Sequence, residues 1–168
     1  MALYSDFVKE PEGEELIDIM ELYRLLGLSG AIGSMDCTSV CYGRCPASLK
    51  WLYIGKDGYP TLSFQCVVDH NRKIHHVSEP FYGGTNDKTV TANDTFPCKV
   101  AAGYDAYGVP KLCKGAYLIV DGGYEKLGYL ICPRPYPSTI QDVEWSEWLE
   151  RVRKDVECTF GILKARWR

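Results

Sequence analysis

The stretch AYLIVD, residues 116–121, decides how this chain is expected to fold. Its five consecutive apolar residues suit a central strand that is covered on both faces of a sheet. The run ends on Asp121, and a second apolar run, AIGSM at 31–35, leads in the same way to Asp36. An uncompensated carboxylate at the edge of a core is costly, so both acids are candidate functional residues.

A long helical pattern near the carboxyl end carries a third acid, Glu157. The apolar positions of this pattern step by three or four residues, which predicts an amphipathic helix of more than about twenty residues. These positions are Trp145, Trp148, Leu149, Val152, Val156, Phe160, Leu163 and Trp167. Three carboxylates that met in one place would repel one another unless divalent cations held them together. A two-metal phosphoryl-transfer enzyme needs such an arrangement.

The other elements follow from shorter patterns. Helical spacing that stops at Gly27 predicts a helix over 12–26. Alternation predicts a half-buried strand over 59–69, with an antiparallel partner at 73–79. The remaining predictions are a strand at 31–38, a loop at 83–86, a helix at 87–93, a strand at 128–132, a capping box formed by Ser138 and Gln141, and no regular structure at 39–52 or 96–114. This order describes a mixed α/β fold, a mixed sheet flanked by helices.

Composition places the chain among globular proteins. Its 168 residues, 46% of them hydrophobic and 24% charged, are enough for one domain with a full core. No apolar stretch approaches the roughly 20 residues that a membrane helix requires, and no secretory leader is recognisable. The net charge of −3 argues against a large nucleic-acid surface. However, the last eighteen residues hold the basic residues Arg151, Arg153, Lys154, Lys164, Arg166 and Arg168, which form either a phosphate-binding face or a solvated helix face.

Other chemistries find little support in the sequence. The chain has no G-x-x-x-x-G-K-[ST] loop and no G-x-S-x-G elbow. The histidines at 75 and 76 fall on a predicted strand and are interpreted as packed or solvated. Eight cysteines without a leader favour a reducing compartment. The spacing of Cys37, Cys41 and Cys45 is looser than the C-x-x-C pairs of most zinc sites, so a cysteine-rich zinc protein is a minor alternative.

The motifs together resemble a known family. The segment GAIGSMDC at 30–37 resembles the first acidic motif of Harbinger-type transposases and the nucleases derived from them. The strand at 59–69, GGTND at 83–87 and LIVDGGY at 118–124 are similar to the segments that follow it, and 153–167 resembles the third catalytic motif. Between Asp121 and Glu157 lie 35 residues, a spacing typical of DDE transposases and integrases. The resemblance runs from about Gly27 to the end of the chain.

The resemblance implies an RNase H-like fold and a metal-binding triad of Asp36, Asp121 and Glu157. Asp87 matches a further acidic position that some members use as a metal ligand, although an N-cap is an equal interpretation because a helix is predicted to start there. Two Mg²⁺ or Mn²⁺ ions about 4 Å apart would then cut phosphodiester bonds of DNA, with or without strand joining. Arg153, one helical turn before Glu157, would contact phosphate.

The resemblance also carries expectations about organisation and partners. Residues 1–28 are expected to be a helical lead-in and 29–168 a DDE endonuclease domain, truncated at its carboxyl end because family members continue beyond the third motif. The implied partners are DNA, a Myb-like DNA-binding protein and a second copy of the chain, in the nucleus and away from membranes. The alternative is a catalytically inactive domesticated remnant that acts as a DNA- or protein-binding module.

Overall fold

A computed structural model describes residues 7–103 and 115–167 of the chain. The helices in these ranges are α1 (Gly13–Leu25), α2 (Lys50–Tyr53), α3 (Asp87–Asn93), α4 (Thr95–Ala102) and α5 (Ile140–Arg166). The strands are β1 (Ala31–Cys41), β2 (Thr61–Val68), β3 (Ile74–Val77), β4 (Phe81–Tyr82), β5 (Tyr117–Ile119) and β6 (Leu130–Ile131).

The strands of the described residues form one mixed sheet of six strands. Its order is β3-β2-β1-β5-β6, and β4 pairs with β2 outside this path. The pairs β1–β2 and β2–β3 are antiparallel, whereas β1–β5 and β5–β6 are parallel. This architecture confirms the predicted mixed α/β class and is compatible with an RNase H-like fold. As predicted from its apolar run, β5 lies inside the sheet, and Leu118 and Ile119 are fully buried.

Helices cover both faces of the sheet. Successive residues of β2 point to opposite faces. Val67 belongs to the core cluster that includes Phe96 and Val100 of α4, while Cys66 and Val68 pack with Val156 and Phe160 of α5. The helix α1 joins the two sides, because its Leu16 lies in the α4 cluster whereas its Ile19 and Tyr23 pack with Leu149 of α5.

The long helix α5 has 27 residues, as its pattern predicted, but its cap is not the predicted one. The Thr139 hydroxyl accepts a hydrogen bond from the Asp142 N–H at 3.1 Å, and the Asp142 carboxylate accepts one from the Thr139 N–H at 3.3 Å. The predicted pair of Ser138 and Gln141 is therefore one residue too early. Asp142 takes the capping position because its ionised carboxylate also binds the Ser138 N–H, which strengthens the interaction.

Several elements form where local patterns had predicted little. The strand β1 continues to Cys41 because β2 offers partners as far as Thr61. A 3-10 turn (Ala47–Leu49) and α2 lie inside the segment predicted as irregular. The strand β4 was missed, and α4 occupies part of the stretch for which no structure was predicted. The rest of that prediction, over 104–114, lies outside the described residues.

Within 7–103 and 115–167, no helix combines the length and the apolar character that crossing a membrane would take. The division of the chain at residue 28 into a lead-in and a catalytic domain stays a prediction, although α1 packs into the same core as the sheet.

Leu149 of α5 gives a direct test of this packing, because its side chain is fully buried against α1 and the sheet. We expect Leu149→Ala to lower the free energy of unfolding by about 2–5 kcal/mol, through lost burial and the cavity left behind. Urea unfolding followed by circular dichroism measures the loss. Leu25→Ala, at a position that is 67% exposed, is the matched control and should change the stability by about 0.5 kcal/mol or less. Equal losses at both sites would contradict this packing.

Candidate active site

Asp36 and Asp121 reach the same level of the sheet from neighbouring parallel strands. Ser34 of β1 lies opposite Ile119 of β5. Asp36 follows two residues later in β1, and Asp121 follows two residues later, just beyond the end of β5. Asp36 lies inside β1, which continues beyond it in antiparallel pairing with β2, where Asp36 lies opposite Cys66. The strand that ends here is β5, at Ile119. The two acids therefore lie next to the point at which β1 no longer has β5 as a parallel neighbour.

A tight turn holds Asp121 in place. The Asp121 carboxylate accepts a hydrogen bond from the Gly123 N–H at 2.8 Å. A Cβ on Gly123 would lie 3.1 Å from the same carboxylate oxygen, so the turn leaves little space there. The turn is tied to β1 by Tyr124, which is buried and whose hydroxyl donates to the Cys37 sulfur at 3.5 Å.

Arg153 connects Asp36 to Glu157. Its guanidinium lies 3.1 Å from Asp36 Oδ2, 2.7 Å from Glu157 Oε1 and 3.0 Å from Glu150 Oε2. The Arg153 side chain is only 8% exposed, whereas that of Glu157 is 45% exposed. The arginine that the sequence had assigned to phosphate therefore binds three carboxylates of the protein itself, and it is the only contact through which Glu157 reaches Asp36 in the described residues.

The electrostatics of the site centre on Asp36. Burial raises the pKa of its carboxyl, and the negative charges of Asp121 and Asp87 raise it further. The Cys37 N–H, which donates to Asp36 at 2.8 Å, and the nearby Arg153 oppose this rise without cancelling it. Ionised Asp36 is therefore in a costly position. Burial also raises the pKa of the neighbouring Cys37 thiol to about 12, so that this thiol stays neutral at ordinary pH.

Asp87 is placed near these groups by the start of α3. The N-cap of α3 is Asn86, whose side chain accepts a hydrogen bond from the Lys88 N–H at 2.8 Å. The interpretation of Asp87 as the N-cap is therefore wrong, and the reason is that Asn86 already takes the extended conformation of a cap. The half-buried Asp87 carboxylate is free of that role and lies close enough to influence both Asp36 and Cys37.

The candidate metal ligands are thus partly assembled. Carboxylate oxygens are the donors that Mg²⁺ prefers, and the repulsion among Asp36, Asp87 and Asp121 is of the kind that a divalent cation relieves. Yet the described residues hold no group of three or more His, Cys, Asp or Glu side chains that is close enough to bind a metal ion. The donor set suits such a cation in its chemistry, but Glu157 can join it only if Arg153 releases its carboxylate. The metal-binding roles stay predictions.

Sequence patterns missed a buried polar network beneath α3 and α4. Gln65 of β2 donates to the Asp94 carboxylate at 2.7 Å and accepts from the Thr91 hydroxyl at 2.8 Å. Asp94 also contacts His76 at 2.8 Å and accepts from the Phe96 N–H, which caps α4. The alternation in β2 had predicted a polar, solvated face, but Gln65 is fully buried because the two short helices cover it.

The histidines on β3 are packed rather than solvated. His75 is 1% exposed and lies 2.9 Å from the Asp69 carboxylate, and His76 stacks on Phe96 in addition to its contact with Asp94. Burial raises the pKa of Asp69 and of Asp94, but their hydrogen bonds, led by those with the histidines, bring both pKa values below the ordinary range. These pairs therefore serve the fold and not the candidate site.

The chain is similar to known proteins over nearly its whole length. A family model described as "Plant transposon protein" matches residues 5–168. The chain is similar to the protein named "Putative nuclease HARBI1" from Mus musculus, with 23% identity over 166 residues that cover 98% of this chain and 45% of the relative. The protein of the same name from Homo sapiens is 24% identical over the same share of each chain. The chain thus spans less than half the length of these relatives, and no solved structure matches it significantly.

The raised pKa of Asp36 predicts that this acid lowers stability at neutral pH. Asparagine keeps an oxygen for Arg153 but carries no charge, so Asp36→Asn should raise the free energy of unfolding at pH 7. The gain should shrink as pH falls through the folded pKa, and vanish below the unfolded value of about 3.9, where wild-type Asp36 is protonated in both states. Melting temperatures between pH 3.5 and 7, taken in EDTA, measure the difference.

Asp18→Asn, at an exposed position on α1, is the control and should give no such pH-dependent gain. A loss of stability in Asp36→Asn at pH 7 would instead mean that the Arg153 ion pair outweighs the cost of burying the Asp36 charge.

Proposed function

This chain belongs to the plant transposon protein family, as its motif resemblance predicted, and on that premise we propose that it carries a metal-dependent DNA nuclease site. One observation carries the proposal. Asp36 lies two residues beyond the last paired position of β1 with β5, Asp121 lies two residues beyond the end of β5, and Glu157 of α5 is tied to Asp36 through a shared arginine.

Asp36, Asp121 and Glu157, with Asp87 as a fourth ligand, would hold Mg²⁺ or Mn²⁺ in this proposal. Such ions activate a water or a DNA 3′-hydroxyl and stabilise the leaving oxygen of the phosphodiester. The chain itself contributes the positions of the acids. The Gly123 turn orients Asp121, the Cys37 N–H orients Asp36, and Arg153 balances their charge until Glu157 is released.

The carboxyl-terminal half of α5 offers contacts for the DNA backbone. Lys154, Lys164 and Arg166 are exposed there, and no salt bridge of the described residues uses them. Phosphates are bound mainly by such lysine and arginine side chains, even on a protein whose net charge is negative. We infer that these residues hold DNA near the acids of the sheet.

The wider assembly belongs to the same proposal. The relatives named as nucleases are more than twice as long as this chain, so their activity is carried over to it only as an inference. A Myb-like protein that selects the DNA, a second copy of the chain and a nuclear location are compatible with a nuclease derived from a transposase. Joining of the cut strand would use the same acids with a DNA hydroxyl in place of water.

A second function is favoured by Arg153. A guanidinium that is nearly buried among Asp36, Glu150 and Glu157 gives a stable arrangement without any metal ion. A domesticated chain that had lost turnover, but still bound DNA or a protein partner, would have no need to break these ion pairs.

Asp121→Asn separates the two functions. The change keeps the shape of the side chain and removes its charge, so a nuclease should lose at least about a hundredfold in the Mn²⁺-dependent nicking of supercoiled plasmid. Glu144→Gln, at an exposed position on α5, is the matched control and should nick like the wild type.

Titration calorimetry with Mn²⁺ alone gives a readout that does not depend on activity. We expect the wild-type chain to take up the ion and Asp121→Asn to bind it more weakly. A chain that binds DNA in EDTA, but neither takes up Mn²⁺ nor nicks plasmid, would contradict the nuclease and favour the binding module.

A further inference from the structure

A pocket of about 350 Å³ opens beside the candidate acids, on the face of the sheet opposite α5. Its floor is made by Cys37 and Ser39 of β1 and by Ser63 of β2, and the Ser39 and Ser63 hydroxyls lie 3.5 Å apart across the two strands. The loop at 83–87 and the turn at 55–56 form its walls. Its volume falls within the roughly 300–1,000 Å³ that is usual for small-molecule sites.

Glycines fix the shape of the walls. A Cβ on Gly55 would lie 2.0 Å from the carbonyl oxygen of Gly83, and a Cβ on Gly83 would lie 2.0 Å from the Thr61 hydroxyl. No other residue fits at either position unless the backbone moves. The backbones of the two walls are therefore in close contact at Gly55 and Gly83, and this contact defines the shape of the pocket.

The pocket is continuous with the candidate acids. Asp87 lines it directly, Cys37 follows Asp36 in β1, and Gly123 comes two residues after Asp121. Past Asp36, β1 has a strand neighbour only on the β2 side within the described ranges, because its pairing with β5 stops at Ser34. A strand of DNA that passed this free edge would have the acids on one side and the pocket on the other.

The lining groups suit a nucleotide. Hydroxyl and amide side chains, which can donate to and accept from a base or a sugar, come from Ser39, Ser63, Thr85 and Asn86. Lys56 is exposed at the rim and makes no ion pair with any residue that the structure describes, so its ammonium group is available for a phosphate.

We propose that this pocket binds an unpaired nucleotide that flanks the phosphodiester bond cut at the acids, with Lys56 on its phosphate. A base held in a duplex cannot enter a concave site of this size, so the substrate strand is single-stranded or frayed next to the cut. The inference rests on the proposed nuclease function, which it makes more specific.

Binding of a fluorescein-labelled single-stranded oligonucleotide, followed by fluorescence anisotropy in EDTA, tests the pocket without cleavage. Lys56→Glu should weaken binding about tenfold and lower the slope of log K against log salt by about 1. Lys164→Glu makes the same charge change on α5, away from the pocket. It should affect a blunt duplex and the single strand alike, whereas Lys56→Glu should affect mainly the single strand.

A second pair of variants tests the space itself. Ser39→Phe places a ring on the pocket floor and should weaken single-strand binding well beyond Ser39→Ala, which removes one hydroxyl and leaves the volume free. Circular dichroism confirms that each variant is folded. Wild-type binding by folded Lys56→Glu and Ser39→Phe, or a loss for Lys56→Glu that is as large on the blunt duplex as on the single strand, would overturn the proposal.

Photo-crosslinking of the unmodified chain gives an answer that no folding defect can affect. An oligonucleotide that carries 4-thiothymidine should form adducts within residues 55–63 or 82–88, and adducts confined to α5 would overturn the proposal. The nuclease can fail separately. Binding at the pocket without nicking of plasmid would support the pocket and contradict the nuclease. Nicking of plasmid, with no effect of Lys56→Glu on binding, would support the nuclease and contradict the pocket.

Discussion

The ion pair between Arg153 and Asp36 is the interaction on which the rest of the site depends. It joins α5 to β1 across 117 residues of sequence, and it brings Glu157 to the sheet because the same guanidinium holds both acids. The Arg153 side chain is only 8% exposed, a position in which a charge needs partners, and three carboxylates supply that pairing here. The arginine thus holds two of the candidate acids, Asp36 and Glu157, together, and their carboxylates are engaged with it.

A second constraint is the place where β5 stops. Beyond Ser34, β1 is paired with β2 and no longer with β5. The side of β1 that faced β5 is therefore a free strand edge at Asp36, and both faces of the sheet can be reached from it. Asp36 points towards α5, while its neighbour Cys37 faces the opposite side with Tyr124. This alternation places Asp36 on the α5 side and the pocket residue Cys37 on the other, while the remaining candidate acids come from the turn after β5, the start of α3 and α5.

The fold supports this edge with groups that have no part in the chemistry. The network of Gln65, Thr91, Asp94 and His76 fastens α3 and α4 to the sheet, and with them the residue that begins α3, Asp87. Nearly every buried polar atom in this network has a partner, so it stabilises the fold. Asp36 shows the reverse, with a pKa raised by burial and by its acidic neighbours. Costly buried charges that lie at one edge of a sheet, while the polar groups around them are hydrogen-bonded, are typical of functional sites.

The sequence by itself determined the class of fold and the candidate acids. The apolar run before Asp121, the alternation in β2 and the three-to-four spacing of α5 each depend on nearest neighbours along one element, so they could be predicted without coordinates. Only the tertiary structure decided that Gln65 is buried, that Asn86 rather than Asp87 caps α3, that β1 outlasts β5 and that Arg153 binds acids instead of facing solvent. The physical reason is that register and burial are set by pairing and packing between segments far apart in the chain, which a local pattern cannot contain.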